Sequence, residues 1–378
     1  MQPIVIIGSG LAGYTVAREI RKLNAEIPVT LVCADSGDFY SKPMLSNAFQ
    51  SGKTPAQLIT TNAAAMAQQL NLTLMAHTTV DKIDAQGHRV YTNQGSVSYS
   101  SLVVAIGAQP VRTEMQGDAV NEVMSVNHLD DYSAFYQQLG VGRHILIIGA
   151  GLIGCEFAND LCKGGHKVTV VHPHHFPLQN LLPEVAGNAL AVALQAIGVT
   201  WKMRTTVSAI QRDTSGYRVS LASGEDIHAD CVLSAVGMRP NVLLAQRSDI
   251  VTRRGIVVDD WLRTSAPDVY ALGDCAQYGE QVLPFVLPIM NAARALAKTL
   301  TGTLTPVKFP YMPVAIKTPA FPLLVQLPMA DAIGQWQVEE NAGLKMSYVD
   351  REGHLLGFVL AGERLKERAQ CLAKLPQK

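Results

Sequence analysis

The sequence predicts an α/β protein of the doubly wound class, because one strand–turn–helix pattern occurs twice along the chain. The first copy reads Ile-Val-Ile-Ile-Gly-Ser-Gly-Leu-Ala-Gly over residues 4–13, and the second reads Ile-Leu-Ile-Ile-Gly-Ala-Gly-Leu-Ile-Gly over residues 145–154. Each copy runs from a short apolar segment, typical of a buried strand, through Gly-x-Gly-x-x-Gly into a helical pattern.

After the first copy the pattern predicts a helix over 11–23 and a strand over 29–32, and after the second copy a helix over 152–163. Further helices are predicted near 287–300 and, with many charged residues, over 363–374. This alternation of strands and helices favours parallel sheets.

The three glycines of each copy have separate roles in binding a dinucleotide. The first permits a tight turn, the second lets a pyrophosphate approach the backbone, and the third lets the helix pack closely on the strand. The N-terminus of the helix adds the positive end of its dipole. A single motif of this kind is weak evidence. Two copies, each in the right context, indicate that the chain holds two dinucleotides in order to pass a hydride between them.

The bulk properties of the chain narrow the class of protein further. It has 378 residues, 48% of them hydrophobic, which is enough for two or three domains with their own cores. The formal net charge is zero, so nothing indicates nucleic-acid binding. No apolar run approaches the ~18 residues of a membrane span, and the first strand begins at residue 4, leaving no room for a signal peptide. We therefore expect a cytoplasmic protein without a membrane span.

The cysteines show neither Cys-x-x-Cys nor Cys-x-x-x-x-Cys spacing, which argues against a zinc site and against a redox-active dithiol. They are Cys33, Cys155, Cys162, Cys231, Cys275 and Cys371. Three clustered histidines, His172, His174 and His175, have no fourth ligand pattern beside them. We therefore expect no bound metal.

Five landmarks stand in order along the chain and carry a resemblance to a known family. They are the two glycine motifs, Val-Val-Ala-Ile-Gly-Ala over 103–108, Gly-Met-Arg-Pro-Asn over 237–241, and Thr-Ser-Ala-Pro-Asp-Val-Tyr-Ala-Leu-Gly-Asp over 264–274. This combination resembles the flavoproteins with two dinucleotide-binding domains and the glutathione-reductase-like fold. Within them, the motifs at 40–46, 151–158 and 316–319 resemble NADH:rubredoxin reductases, with flavorubredoxin reductases as the nearest cousins.

The resemblance implies two Rossmann-type domains and a small C-terminal α+β domain. The expected segments are an FAD-binding domain in two parts, 1–112 and 243–306, an inserted NAD-binding domain, 113–242, and the C-terminal domain, 307–378. FAD, held without a covalent bond, would lie on the first unit and NADH on the second.

On the FAD side, the resemblance places the first glycine turn at the pyrophosphate. The residues concerned are Ser9, Gly10, Leu11 and Ala12. The acid that binds the ribose in this family would fall at Cys33, so the chain departs from the pattern there. Adenosine contacts are assigned instead to Ala34 and Asp35, and Val80 resembles the strand residue whose backbone touches the adenine.

At the flavin end, Asp274 matches the aspartate that binds the ribityl hydroxyls, and a helix start favours its negative charge. Val286 lies near the start of the next helix, whose N-terminus would face the flavin pyrimidine edge. Gly107, at the end of an apolar strand, is assigned to the same site. Lys317 resembles a lysine that reaches the flavin from the C-terminal domain, and a loop cation is an equally good interpretation.

Two further side chains are placed beside the reacting atoms by resemblance. Lys42 matches a basic residue that relatives hold over the flavin ring, and Glu156 matches the residue that holds the nicotinamide carboxamide. We hypothesise an ion pair between them that orders the geometry of hydride transfer. A surface lysine and a helix-face glutamate are the alternative. Many ferredoxin-reductase relatives have Arg in place of Lys42 and Lys in place of Asn47, so their charge network is not reproduced here.

On the NAD side, the second glycine turn is assigned to the pyrophosphate. The residues concerned are Gly149, Gly151, Leu152, Ile153 and Gly154. The strand that follows ends at His172, where NAD enzymes usually have an acid and NADP enzymes have cations. Neutral histidines could accept a ribose hydroxyl, and charged ones could meet a phosphate. NADH is favoured by the resemblance.

Electrons must leave without a thiol, because no cysteine lies between residues 34 and 154, where related disulfide reductases and peroxidases carry theirs. We expect them to pass singly to rubredoxin or a similar small acidic carrier. A stretch without Asp or Glu, from Val282 to Ala330, would steer such a partner, although chance clustering explains it equally well. Its cations are Arg294, Lys298, Lys308 and Lys317.

Other functions stay open on the sequence alone. The same chemistry would serve a reductase of flavorubredoxin or of a ferredoxin. A flavoprotein that senses NAD would show slow flavin reduction, and a thiol-independent NADH oxidase would consume oxygen rapidly without a carrier.

Overall fold

The computed structural model describes residues 2–376 and divides them into two compact units. The first unit comprises residues up to Lys42, Ala56–Gln109 and Met238–Phe309, and the second comprises Pro43–Pro55, Pro110–Gly237 and the residues from Pro310 onward.

The strands of both units are numbered along the chain. They are β1 (Ile4–Ile7), β2 (Val29–Val32), β3 (Phe39–Tyr40), β4 (Ile59–Thr61), β5 (Thr73–Met75), β6 (Val80–Asp84), β7 (Arg89–Thr92), β8 (Gly95–Ser98), β9 (Ser101–Val104), β10 (Ala108–Pro110), β11 (His144–Ile148), β12 (Lys167–His172), β13 (Val199–Met203), β14 (Val207–Asp213), β15 (Gly216–Leu221), β16 (Asp226–Ala229), β17 (Cys231–Ser234), β18 (Met238–Pro240), β19 (Ile256–Val258), β20 (Val269–Ala271), β21 (Ala276–Tyr278), β22 (Val314–Ile316), β23 (Leu323–Gln326), β24 (Gln335–Glu339), β25 (Lys345–Val349) and β26 (Leu355–Ala361).

The helices are numbered in the same way. The α-helices are α1 (Leu11–Leu23), α2 (Pro55–Leu58), α3 (Ala63–Gln69), α4 (Leu129–Leu139), α5 (Leu152–Lys163), α6 (Glu184–Ala196), α7 (Leu243–Arg247), α8 (Val286–Leu300) and α9 (Arg368–Lys374). Short 3₁₀ helices cover Lys42–Asn47, Val120–Glu122, Gly273–Cys275 and Gly362–Glu367.

The first unit is built on a five-stranded sheet in the order β20-β9-β1-β2-β5, with all neighbours parallel. Strand β1 is fully buried and apolar, as expected for a central parallel strand covered on both faces. From β1 the chain passes through α1 to β2 on one side, whereas β9 lies on the other side. The strand order therefore reverses at β1, and a doubly wound sheet binds its ligand at such a point.

The first unit also contains an antiparallel sheet in the order β6-β7-β8 and two pairs of strands, β19 with β21 and β3 with β4. Helices α1 and α8 pack against each other, and the core is continuous from β1 to α8. Apolar burial of this extent is the main source of stability for a unit of this size.

The second unit repeats the same arrangement with the order β13-β12-β11-β17, again all parallel. Here β11 leads through α5 to β12, and β17 lies on its other side, so the order reverses at β11. An antiparallel sheet, β14-β15-β16, packs its apolar side chains into the same core. The repeat seen in the sequence is thus a repeat of topology.

The last part of the second unit forms a separate five-stranded antiparallel sheet in the order β22-β23-β26-β25-β24. Its own small core includes Phe358, Leu360 and Cys371. The charged helix predicted over 363–374 is present, but in two parts. The chain forms a 3₁₀ helix up to Glu367 before α9, and the Arg364–Glu367 pair (2.7 Å) suits 3₁₀ geometry because residues three apart eclipse there.

Several predicted elements are confirmed at the residue level. Helices predicted over 11–23 and 152–163 are α1 and α5, and the strand predicted over 29–32 is β2. The helix predicted near 287–300 is α8. For α1 and α5, the glycine turn marks the first residue of the helix.

Segment Pro43–Pro55 belongs to the second unit, although the expected boundaries place it in the first part of the FAD-binding domain. The physical reason is a set of polar contacts to α5 and aromatic contacts to α4, described below. The four segments expected from the sequence stay a prediction. Among residues 2–376, no helix is long and apolar enough to cross a membrane.

The closest backbone approach in the first unit gives a direct test of the fold. A Cβ on Gly13 would lie 1.9 Å from the carbonyl oxygen of Gly8, whereas a Cβ on Gly10 would meet nothing within 4 Å. We expect Gly13→Ala to lower the free energy of unfolding by about 3 kcal/mol or more, since the core must move to admit the methyl group. Gly10→Ala is the matched control, with an expected loss below about 1 kcal/mol. Urea denaturation measures both, and equal losses would contradict this account.

Candidate functional site

The first glycine turn lies at the carboxyl end of β1. Gly8 has a φ of 113°, which favours glycine, and Gly10 is the N-cap of α1. Gly13 brings α1 against the turn, while the space next to Gly10 is open. The backbone is therefore accessible at the helix N-terminus, where a phosphate group is stabilised by N–H groups and by the helix dipole.

The other residues of this turn connect it to neighbouring elements. The hydroxyl of Ser9 donates to the Asp35 carboxylate, with 2.7 Å between Oγ and Oδ1. Leu11 is half-buried against the core. Ala12 is buried, and a Cβ on Gly273 would lie 3.1 Å from its methyl group. The turn thus packs against its neighbours at Ser9, Leu11 and Ala12, whereas the space beside Gly10 is open.

The carboxylate of Asp35 is fixed beside the first glycine turn. It also accepts the Gly37 N–H at 2.9 Å, and the Asp35 carbonyl accepts the His77 N–H at 2.9 Å. Burial, and next the charge of Asp35, raise the pKa of the Cys33 thiol to about 12. At position 33, where the family has an acid, this chain has the neutral thiol of Cys33. The carboxylate is supplied instead by Asp35, two residues later.

The segment after β5 lies alongside the end of β2. The Cys33 carbonyl accepts the Thr78 N–H at 2.8 Å, which brings the start of β6 near this region. Ala34 is exposed, and Val80 is the first residue of β6 and half-buried. The three residues assigned to adenosine therefore lie on neighbouring segments at the end of β2. They are Ala34, Asp35 and Val80.

Asp274 lies at the carboxyl end of the same parallel sheet, in the 3₁₀ helix that follows β20. Burial raises the pKa of its carboxyl group, and Lys42 opposes that shift. The Gly273 N–H donates to the Tyr278 hydroxyl at 3.1 Å, which fixes the backbone just before Asp274. Gly107, after the adjacent strand β9, has a φ of 67°. A half-buried carboxylate with a cation nearby is suited to accepting hydrogen bonds from hydroxyl groups.

Helix α8 begins at Val286, which is 43% exposed. The helix packs on α1, and the Thr15 hydroxyl lies 3.8 Å from the Met290 sulfur. The N-terminus of α8 thus belongs to the same unit as Gly10 and Asp274. The assignment of Val286 to the flavin edge stays a prediction.

The second glycine turn has the same construction as the first. Gly149 has a φ of 103°, Gly151 is the N-cap of α5, and a Cβ on Gly154 would lie 2.0 Å from the Gly149 carbonyl oxygen. A Cβ on Gly151 would meet nothing within 4 Å. Leu152 and Ile153, the next two residues, are half-buried in the first turn of α5. The geometry again suits a pyrophosphate.

The end of β12 brings a histidine to this turn. The Nδ1 atom of His172 accepts the Ala150 N–H at 3.2 Å, and its ring lies edge-on to His174 with 5.1 Å between centroids. Burial, and next His174, lower the pKa of His172 to about 4. His172 is therefore neutral near pH 7, with its proton on Nε2. From Nε2 it can donate to a hydroxyl group, but it lacks the charge that would favour a phosphate.

Glu156 lies one turn into α5 and is buried (7% exposed). Its Oε2 accepts the Ser46 hydroxyl at 2.6 Å, and its Oε1 accepts the Lys317 N–H at 3.3 Å. The Lys317 ammonium lies 3.7 Å from Oε2. Burial raises the pKa of the Glu156 carboxyl group, and Lys317 and Ser46 oppose that shift.

Lys317 also donates from Nζ to the Pro43 carbonyl at 3.0 Å. Lys317 therefore contacts both segment Pro43–Pro55 and Glu156, so it is not simply a cation on a loop. Its proposed reach to the flavin stays a prediction. The ion pair expected between Lys42 and Glu156 also stays a prediction, since the two residues belong to different units.

Sequence reasoning missed three residues of this arrangement, Ser46, Asn159 and Asp160. Asn159 accepts the Ala320 N–H at 3.0 Å, and Asp160 accepts backbone N–H groups of segment Pro43–Pro55. One signal was available in the sequence. Asn159 and Asp160 lie three and four positions after Glu156 and therefore share its face of a helix that is mostly apolar. The partners of these side chains could not be read from the spacing.

Comparison with known proteins gives the family. The family model described as pyridine nucleotide-disulphide oxidoreductase matches residues 2–297, and one described as rubredoxin binding C-terminal domain matches residues 306–375. The chain belongs to the pyridine nucleotide-disulphide oxidoreductase family. The fold class and the family resemblance predicted from the sequence are thereby confirmed.

Two curated relatives match all or nearly all of the chain. A rubredoxin-NAD(+) reductase of Alcanivorax borkumensis is 44% identical over 100% of this chain and 99% of its own length. A nitric oxide reductase FlRd-NAD(+) reductase of Aliivibrio fischeri is 37% identical over 96% of each chain. Among solved structures, a ferredoxin reductase from Rhodopseudomonas palustris has a TM-score of 0.89 at 24% identity, covering 100% of this chain and 96% of that one, which shows the shared fold.

The depressed pKa of His172 predicts how stability depends on pH. The unfolded chain binds a proton at this residue near pH 6.5, whereas the folded chain does so only near pH 4. This contribution is complete above about pH 6.5 and is lost as the pH falls toward 4. His172→Asn keeps an acceptor for the Ala150 N–H but does not titrate, so we expect its stability to fall less steeply over this range. Urea denaturation at several pH values measures the slope, and a slope equal to that of the wild type would contradict the assignment.

Proposed function

We propose that this chain is an FAD-dependent NADH:rubredoxin reductase. The observation that carries the proposal is the pair of matched glycine turns, one in each unit, in a chain whose residues 306–375 match a rubredoxin-binding domain. Two turns of this kind serve two dinucleotides, and the reason to hold two is transfer between them. The 44% identity to a rubredoxin-NAD(+) reductase over the full length supports the same conclusion.

The residues of the first unit fit FAD. The open backbone at Gly10 accommodates the pyrophosphate. The carboxylate of Asp35 accepts hydrogen bonds from ribose hydroxyls, and the half-buried carboxylate of Asp274 accepts them from the ribityl hydroxyls. Bound FAD would take a hydride from NADH and release the two electrons one at a time to carriers outside the protein.

The residues of the second unit fit NADH. The open backbone at Gly151 accommodates its pyrophosphate, and neutral His172 accommodates a ribose hydroxyl rather than a phosphate. Glu156 holds the nicotinamide carboxamide, whose NH₂ group suits a carboxylate acceptor. Ser46 and Lys317 fix the orientation of Glu156 and stabilise its charge in a buried place.

The thiols of this chain support electron transfer without a disulfide intermediate. All six cysteines are free, and burial raises the pKa of each thiol. Such thiols are protonated at neutral pH and are poor nucleophiles. The reaction balances as one NADH and two oxidised carriers giving NAD⁺, a proton and two reduced carriers.

An exposed face of α8 supports an acidic carrier as the partner. Leu287 is 43% exposed, and Arg294 and Lys298 follow it on the same face at seven and eleven residues. No Asp or Glu occurs from residue 281 to residue 330. An apolar contact next to uncompensated cations suits an interface that steers an acidic protein and then excludes water.

The test is anaerobic stopped flow in two steps. The purified yellow protein is mixed first with NADH and then with oxidised rubredoxin, and the flavin and carrier absorbances are followed. We expect fast bleaching followed by fast reduction of the carrier. Failure to bleach with NADH, or bleaching by NADPH alone, would contradict the proposal.

A flavorubredoxin reductase is the second candidate, supported by the relative from Aliivibrio fischeri. Fast bleaching with slow transfer to rubredoxin but fast transfer to flavorubredoxin would select it. Slow bleaching with a persistent NAD–flavin complex would select an NAD-sensing role, and rapid oxygen consumption without a carrier would select an NADH oxidase.

The role of Asp274 predicts a specific loss of FAD. We expect Asp274→Ala to weaken FAD binding by about 10- to 100-fold, since a hydrogen bond to a charged group contributes about 1.5–3 kcal/mol. The FAD content after gel filtration and the dissociation constant of the apoprotein measure the change. Asp260→Ala, at an exposed position of the same unit, is the control. Full FAD retention by the Asp274 variant would refute the assignment.

The cationic face of α8 predicts a salt-dependent docking defect. We expect the double variant Arg294→Gln, Lys298→Gln to slow reduction of rubredoxin by about three- to tenfold at low ionic strength and to flatten its salt dependence. Bleaching by NADH should not change. Arg254→Gln, an exposed cation elsewhere in the first unit, is the control. An unaltered salt profile in the double variant would rule out this docking face.

A further inference from the structure

One face of α5 carries three buried polar residues, although the other residues of the helix, apart from Lys163 at its C-terminal end, are apolar. Glu156, Asn159 and Asp160 are 7%, 1% and 1% exposed. Positions three and four apart lie next to each other on a helix, so these side chains form one patch. Burying polar groups costs free energy unless each is paired, and the partners of this patch therefore indicate what it holds.

Asp160 binds the backbone of segment Pro43–Pro55. Its Oδ2 accepts the Phe49 N–H and its Oδ1 accepts the Gln50 N–H, each at 2.9 Å. Burial raises the pKa of this carboxyl group, and the backbone N–H groups oppose that shift. Each oxygen faces a donor, which is an arrangement that a carboxylate satisfies and that an amide, with one oxygen, satisfies only by half.

The side chain of Phe49 is held at the same place by aromatic contacts. Its ring centroid lies 5.3 Å from that of Tyr132, 5.6 Å from that of Phe135 and 5.7 Å from that of Tyr136. A Cβ on Gly164, at the C-terminal end of α5, would lie 3.3 Å from the Phe49 Cβ. Two independent anchors, one polar and one aromatic, thus fix the chain at Phe49.

The other end of this segment reaches Glu156. Ser46 donates to its Oε2 at 2.6 Å, and the Lys317 ammonium bridges Glu156 and the Pro43 carbonyl. Only two residues separate Ser46 from Phe49 in the sequence. A displacement at Phe49 is therefore transmitted through the backbone to the hydroxyl that orients Glu156.

We propose that Asp160 is a positioning residue for hydride transfer, acting through Ser46 on Glu156. By fixing the backbone at Phe49 and Gln50, it holds the Ser46 hydroxyl against Glu156 and so fixes the carboxylate that receives the nicotinamide. The inference rests on the proposed function, because its effect is read in flavin reduction by NADH. It assigns a role to a residue that does not itself contact the reacting atoms.

The experiment compares Asp160→Asn and Asp160→Ala with the wild type by anaerobic stopped flow over a range of NADH concentrations. We expect the limiting rate of flavin reduction to fall about tenfold in Asp160→Asn and further in Asp160→Ala, as a displaced positioning group slows a step that depends on alignment. FAD content should stay at the wild-type level. Transfer from photochemically reduced flavin to rubredoxin should also stay unchanged, which a general loss of structure would not allow.

A second variant keeps the inference testable if removal of the carboxylate prevents folding. Phe49→Leu leaves α5 intact but loosens the same segment, so it should lower the same limiting rate and speed amide hydrogen exchange at residues 48–50. The matched control is Asp230→Asn, whose carboxylate accepts the His144 N–H at 2.7 Å elsewhere in the second unit. It should leave the rate of flavin reduction unchanged.

The possible outcomes separate this inference from the proposed function. If NADH does not reduce the wild-type flavin, the proposed function fails. If NADH reduces the wild type rapidly and exchange at residues 48–50 becomes faster in the variants without any fall in the limiting rate, the positioning role of Asp160 is overturned. A rate loss that only follows loss of FAD would overturn it as well.

Discussion

A single steric constraint, the contact of a helix backbone with the turn before it, underlies both halves of this protein. In each glycine turn, a methyl group on the third glycine would lie far inside van der Waals contact with the carbonyl oxygen of the first. The distance would be 1.9 Å to the Gly8 oxygen and 2.0 Å to the Gly149 oxygen. This contact lets the strand and the helix share one tight turn. It also directs the helix N-terminus toward the open space beside the second glycine, where phosphates are stabilised.

In the second unit, the helix that begins at this turn also organises two segments distant in sequence. The polar face of α5 accepts hydrogen bonds from segment Pro43–Pro55 and from the loop after β22, through Asp160 and Asn159. Glu156, on the same face, joins both segments through Ser46 and Lys317. The dinucleotide turn, the carboxylate assigned to the nicotinamide and the C-terminal domain are therefore positioned by one helix, which reduces the number of elements that must be aligned for transfer.

The sequence was sufficient for the parts of the fold that depend on local patterns. Glycine spacing and short apolar strands predicted α1, α5 and both parallel sheets, because these signals act within about ten residues. The sequence did not predict that Phe49 and Asp160 would meet, since the contact joins positions 111 residues apart and Phe49 lies in a segment without periodicity. Nor could it settle the state of His172, whose neutral form follows from burial and from His174.

In the proposed reaction, a hydride passes between dinucleotides held by the two turns. The most direct test is the rate of anaerobic flavin bleaching by NADH carrying deuterium at C4 of the nicotinamide, on one face or on the other. We expect slower bleaching with deuterium on one face only, because each cofactor is held in a single orientation. Bleaching that is insensitive to deuterium on either face, or equally slowed by both, would contradict the proposed reaction.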